Sequence, residues 1–175
     1  EDLKMISQSQ CLGIFIDSVW EHWATQGPQY YVMAQMIWNP QQSGEAILQD
    51  YYQRGFGPAA AEIQRYFETI ETARMAYVKK YGYEAGVFNL PRLYTPELLQ
   101  QAKKHLQAAE AEAAAATPLY QQRVAFVKAG FDYTELLVDN IRRMDSYWKK
   151  QDEAVAKQVR AQWEEMQKIV EAHPY

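Results

Sequence analysis

The chain has 175 residues, 48% of them hydrophobic and 23% charged, with a formal net charge of −4 and a sequence pI near 5.4. That length fits one domain and can bury a core without metals or disulfides, while 8 Gly and 7 Pro are too few for a disordered or turn-rich all-β chain. No run of Lys or Arg exceeds two residues, so neither nucleic acid nor an anionic membrane is an expected partner, and no stretch reaches the ~20 apolar residues of a membrane span.

Residues 1–11 are mixed and mostly polar, and the single cysteine, Cys11, has no partner for an intrachain disulfide. No nucleophile signature surrounds it, which points to a small buried residue. The chain starts at Glu1 without a signal-peptide pattern. It is therefore expected to be a piece of a longer polypeptide whose targeting signal lies upstream.

Leu12–Asp17 is an apolar run of strand length, with Ile14, Phe15 and Ile16 suited to a pleated surface. A single strand needs a sheet, and the expected source is upstream sequence. A loop is expected over Ser18–Gly27. Pro28 then suits the first position of a helix ending near Trp38, because Asn39-Pro40 disfavours continuation.

Ser43 is placed to cap a second helix with Ala46, Ile47, Tyr51 and Phe56 on its buried side, stopped by Gly55-Phe-Gly57. Pro58 opens a third helix, whose apolar residues Ile63, Tyr66, Phe67, Ile70 and Tyr77 follow a helical period up to Tyr81-Gly82. Residues 82–94, with two glycines and a proline, form an ordered connection. Thr95-Pro96-Glu97 starts a helix with the stripe Leu99, Ala102, Leu106, Ala109 and Ala113.

Thr117-Pro118 opens the longest helix, with one seam of Tyr120, Val124, Val127, Phe131, Val138, Ile141 and Trp148 and a second of Phe126, Tyr133, Leu137 and Met144. So wide an apolar surface predicts a central helix, in which Gly130 permits a close crossing. Asp152 can cap a last helix carrying Val155, Val159, Trp163, Met166 and Val170, or the preceding helix can run straight through, and His173-Pro174 ends it. The two Thr-Pro starts do not introduce matching repeats, and the tetratricopeptide pattern is absent. The expected fold is mainly α, an irregular antiparallel bundle of about six helices, with one N-terminal strand.

Three stretches carry a family resemblance: the apolar strand ending in Asp17, "WATQGPQYYVMAQMIWNP" (23–40) and "YYQRGFGPAAAEIQRYF" (51–67). Together, from Gly13 to Tyr66, they resemble the C-terminal part of a bacterial family labelled domain of unknown function 4838. The later "LYQQRVAFVKAGFDYTELL" (119–137) fits that family's tail more loosely. Members are similar to glycoside hydrolases, α-glucuronidase-like proteins in particular, in having a (β/α)-barrel followed by helices. The resemblance implies that residues 1–27 end a barrel-like region, with strand 12–17 and loop 18–27, and that residues 28–175 form a C-terminal helical domain. It also implies a secreted or periplasmic parent protein, an upstream barrel as the partner of the helices, and an active site at the C-terminal end of the barrel strands.

On that placement, Trp20 and Trp23 offer faces for stacking on a sugar ring, and Glu21 and His22 offer hydrogen bonds to hydroxyls. The competing reading is that the tryptophans fill the joint between barrel and bundle. Asp17 and Glu21 are the acids near the loop and hence its catalytic candidates, but glycoside hydrolysis needs two carboxyls flanking one bond. Asp17 is better explained by backbone N–H groups in the turn, and the acid pair is expected upstream. The isolated chain is accordingly expected to be inactive.

His22, His105 and His173 are scattered, with no metal-binding spacing, and His105 falls on the exposed side of its helix. No metal or cofactor is expected. Tyr30, Tyr31, Tyr51, Tyr52 and Tyr66 could form an aromatic sugar-facing surface, although their helical spacing favours the core. Two functions follow: a C-terminal helical region that supports a glycoside-hydrolase-like barrel and lends a loop to a sugar site, or a non-catalytic helical interaction or structural domain.

Overall fold

A computed structural model describes residues 2–9, 11, 23–83 and 86–173. The described residues form α1 (Asp2–Gln8), α2 (Trp23–Trp38), α3 (Gly44–Phe56), α4 (Ala60–Tyr81), α5 (Leu90–Leu93), α6 (Pro96–Ala113), α7 (Pro118–Lys150) and α8 (Glu153–Ala172). Short 3-10 turns at Gly57–Ala59 and Val87–Asn89 precede α4 and α5. No strand occurs among the described residues, and the expected strand 12–17 lies outside them. The fold is a mainly α helical bundle.

Local chemistry sets most of the helix ends. The Ser43 hydroxyl accepts from the Ala46 N–H at the start of α3, Thr95 Oγ1 from the Leu98 N–H at the start of α6, and Asp152 Oδ1 from the Ala154 N–H at the start of α8. Thr117 makes no such bond; there Pro118 supplies the fixed φ of a first helical residue. Gly57 ends α3 at φ 53°, ψ −118°, with its N–H donating to the Gln53 carbonyl. Gly55, by contrast, lies inside α3 with a negative φ, so only the second glycine of Gly55-Phe-Gly57 terminates the helix.

One core joins the bundle. Tyr52 and Phe56 of α3, Ile63 and Tyr66 of α4, Leu99 to Ala113 of α6, and Val124, Val127, Phe131 and Val138 of α7 form a continuous buried cluster. The 33-residue α7 packs against α2, α3, α5, α6 and α8, which is the central role its two seams predict. The α6 stripe is buried throughout. Complete burial of a side chain such as Leu106 or Ile63 stabilises by roughly 1.5–3 kcal/mol.

Five local expectations are corrected. The loop 18–27 is helical from Trp23 onward, so Pro28 lies within α2 rather than at its first position, and residues 18–22 are outside the described set. Position 28 cannot donate to the Ala24 carbonyl, yet Gly27 and Pro28 are buried and Ala24 lies where a Gly130 Cβ would come within 2.7 Å of its own Cβ. The close α2–α7 approach around Gly130 thus carries the helix upstream of the proline. Ala46 is exposed and Tyr52, not Tyr51, is the fully buried tyrosine of α3. Trp148, Trp163 and Val170 are exposed, because α8 packs on α7 and only Met166 on it is fully buried. Cys11 is exposed as well, standing beyond the short α1 that packs on α2. Finally, α1 occupies the stretch read as merely polar, with Leu3 and Ile6 half-buried one turn apart.

Candidate functional site

Of the residues expected at a sugar site, Trp20, Glu21 and His22 lie outside the described residues, as does Asp17. Trp23 is the first residue of α2. Its indole meets the Tyr30 ring edge-on at 4.9 Å and 75°, yet the residue stays 51% exposed while Tyr30 is buried. Trp23 is therefore held against Tyr30 while about half of it stays exposed, which leaves aromatic surface for stacking.

The tyrosine group divides. Tyr30, Tyr52 and Tyr66 are core residues, and Tyr51 packs between Tyr31, Tyr52 and Phe56. Burial pushes the Tyr51 hydroxyl up to about 12, so it stays protonated throughout the physiological range. Tyr31 differs, because it lines a cleft of about 430 Å³ between α2 and α3.

Asn39-Pro40 ends α2 and Ser43 starts α3, so the two helices run side by side. Tyr31 and Gln35, one turn apart on α2, then face Ala46, Asp50 and Arg54, successive turns of α3, with Gln42, Ser43 and Ile47 completing the cleft. The Tyr31 hydroxyl donates to Asp50 Oδ2 at 2.7 Å. Arg54 Nε holds the other oxygen, Asp50 Oδ1, at 2.5 Å. Donation to Asp50 is the main reason that the Tyr31 hydroxyl titrates above its ordinary value; the Gln35 amide acts in the opposite direction. Sequence reasoning grouped Tyr31 with the core tyrosines and passed over this cleft. The available signal was the i,i+4 pair Asp50–Arg54 on a polar face opposite Tyr31 and Gln35.

His105 is also corrected. It is not solvated but sits between α6 and α4, its Nδ1 2.7 Å from Glu62 Oε2, with 20% of its side chain exposed. Arg65 Nη1 pairs with the other Glu62 oxygen. The hydrogen bond with His105, more than the Arg65 charge, holds the Glu62 carboxyl below the usual range. The spacing of 43 residues hides this contact from any local reading. A second groove of about 320 Å³ lies between α7 and α8, lined by Lys128, Asp132, Glu165, Lys168 and His173 above Ala125, Ala129, Ile169 and Ala172. Among the described residues no group of three His, Cys, Asp or Glu side chains is placed to hold a metal ion, and no helix is long and apolar enough to cross a membrane.

Neither a curated protein nor a solved structure matches the chain significantly. The sequence profile of one family does match, over α1, α2, α3 and the first part of α4, a span that includes Trp23 and the whole of the α2–α3 cleft. Over residues 1–69 the chain matches the model of the family described as Domain of unknown function (DUF4838).

Proposed function

We propose that this chain is the C-terminal helical region of a glycoside-hydrolase-like, carbohydrate-active protein, in which the helices support an upstream (β/α)-barrel and the segment leading into α2 contributes to a sugar site. The observation that carries this reading is Trp23: an indole 51% exposed and fixed against Tyr30, directly after Trp20, Glu21 and His22, in the part of the chain that matches the family. Half-exposed aromatic faces beside polar side chains suit the apolar faces and hydroxyls of a sugar ring. The chemistry itself is assigned to the upstream barrel, because Asp17 and Glu21 do not make a convincing flanking pair.

The test is a titration of the full-length polypeptide with an oligosaccharide panel. Replacing Trp20 or Trp23 by Ala should weaken binding by roughly 1 kcal/mol, about fivefold in Kd, while the fold survives. A saccharide ligand that binds both folded variants as tightly as the parent overturns the reading. The alternative, a non-catalytic helical interaction or structural domain, draws its support from Trp148 and Trp163, which are 69% and 53% exposed near the end of α7 and midway along α8. Loss of a protein partner on replacing those two residues, with no carbohydrate bound by any variant, would favour it.

A further inference from the structure

We propose that the cleft between α2 and α3 binds a neutral, hydroxyl-rich ring of monosaccharide size, held by Tyr31, Gln35, Asp50 and Arg54. The inference rests on the carbohydrate reading above and gives it a second place in the molecule, separate from Trp23.

Size, charge and hydrogen-bonding capacity agree on this ligand class. A volume of about 430 Å³ falls within the range of small-molecule sites. Asp50 and Arg54 are the charged residues of the lining, and each neutralises the other at 2.5 Å. The cleft therefore offers no net charge to an ion, yet it is too polar for a hydrocarbon.

The donors and acceptors are already sorted. The Tyr31 proton is committed to Asp50, so its oxygen faces a ligand as an acceptor. Among the described residues each Asp50 oxygen has one partner and keeps lone-pair capacity, whereas the Arg54 guanidinium and the Gln35 and Gln42 amides can donate. A hydroxyl both donates and accepts. Two neighbouring hydroxyls can thus donate to Asp50 and accept from Arg54 without separating the ion pair, while the Tyr31 ring meets the apolar face of the ring. The lining side chains Tyr31, Gln35, Asp50 and Arg54 all stand on helices, so little has to be ordered on binding.

The test uses the 175-residue chain, labelled with 15N and titrated with D-glucose, D-xylose and D-glucuronate. Glucose or xylose should move the backbone amides of Gln35, Ile47, Asp50 and Arg54, and glucuronate should bind more weakly. Asp50→Asn should weaken the neutral sugar by about tenfold or more, the loss expected for a hydrogen bond to a charged group. It should also reverse the preference toward glucuronate, because Arg54 is then unpaired. Gln35→Ala, which leaves the ion pair intact, should weaken the neutral sugar without that reversal, and it serves if Asp50→Asn disturbs the fold. The inference is overturned if the neutral sugars leave these amides unmoved, or if a folded Asp50→Asn protein keeps the parental preference. Shifts confined to the surroundings of Trp23 would overturn the cleft assignment and leave the carbohydrate reading standing. Shifts in the cleft, together with oligosaccharide binding indifferent to Trp20→Ala and Trp23→Ala, would support the cleft and remove Trp23.

Discussion

Gly55 and Gly57 are two residues apart, and alanine should act on them in opposite directions. At Gly57 the backbone sits at φ 53°, ψ −118°, a conformation that costs a non-glycine residue about 1–3 kcal/mol. An added Cβ would also lie 2.6–2.9 Å from three ring carbons of Tyr120, and overpacking of this kind costs roughly 1–3 kcal/mol, part of it relieved if the ring swings. The loss of unfolded-state freedom offsets about 0.4–1 kcal/mol. Gly57→Ala should therefore destabilise by about 2–4 kcal/mol, lowering Tm by roughly 5–15 °C in a domain of this size. Gly55 is the penultimate residue of α3, in helical backbone with open space around an added Cβ, and Gly55→Ala should stabilise by about 0.4–1 kcal/mol through lost unfolded-state freedom. Urea unfolding followed by far-UV circular dichroism measures both. In a Tyr120→Ala background the Gly57→Ala loss should shrink by about 1–2 kcal/mol, since only the backbone strain remains. A Gly57→Ala protein within ~0.5 kcal/mol of the parent, or two alanines shifting stability the same way, would refute the division of these glycines into helix stop and helical residue.

Three further outcomes are expected. Gly130→Ala should cost about 1 kcal/mol despite its better helix propensity, because the new methyl would meet Ala24; Ala24→Gly in the same chain should recover part of the loss, read by a double-mutant cycle in urea. Thr95→Ala removes the hydroxyl that accepts from Leu98 and should cost about 1 kcal/mol, whereas Thr117→Ala, which removes no capping bond, should stay within about 0.5 kcal/mol by thermal unfolding. Glu62 titrates below its ordinary value of 4.5, first because of His105. Its contribution to stability is therefore complete above the unfolded-state pKa and is lost as pH falls through the lower folded-state value. His105→Ala should move the Glu62 carboxyl midpoint upward, seen by 13C NMR, and flatten the acid-side loss of stability; an unmoved midpoint would show that the contact is not formed in solution.

The amino-acid order by itself determined where α3, α6, α7 and α8 start and which faces of α6 and α7 are apolar. Ser43, Thr95-Pro96, Thr117-Pro118 and Asp152 announce helix starts because capping and proline geometry act within one turn of chain. The stripe from Leu99 to Ala113 and the α7 seam from Val124 to Ile141 declared their burial through the helical period. Only the tertiary structure decided what depends on residues distant in sequence. Pro28 looked like a first helical residue until the approach of Ala24 to Gly130 carried α2 back to Trp23. His105 looked solvated until Glu62, on another helix, came within hydrogen-bonding distance. Tyr31 matched Tyr30 and Tyr52 in composition and local pattern, yet it faces a polar cleft because α3 lies beside α2 and sets Asp50 against its hydroxyl. Caps and stripes are properties of a turn or a single helix face, whereas a cleft and an ion pair exist only once two helices have chosen their register.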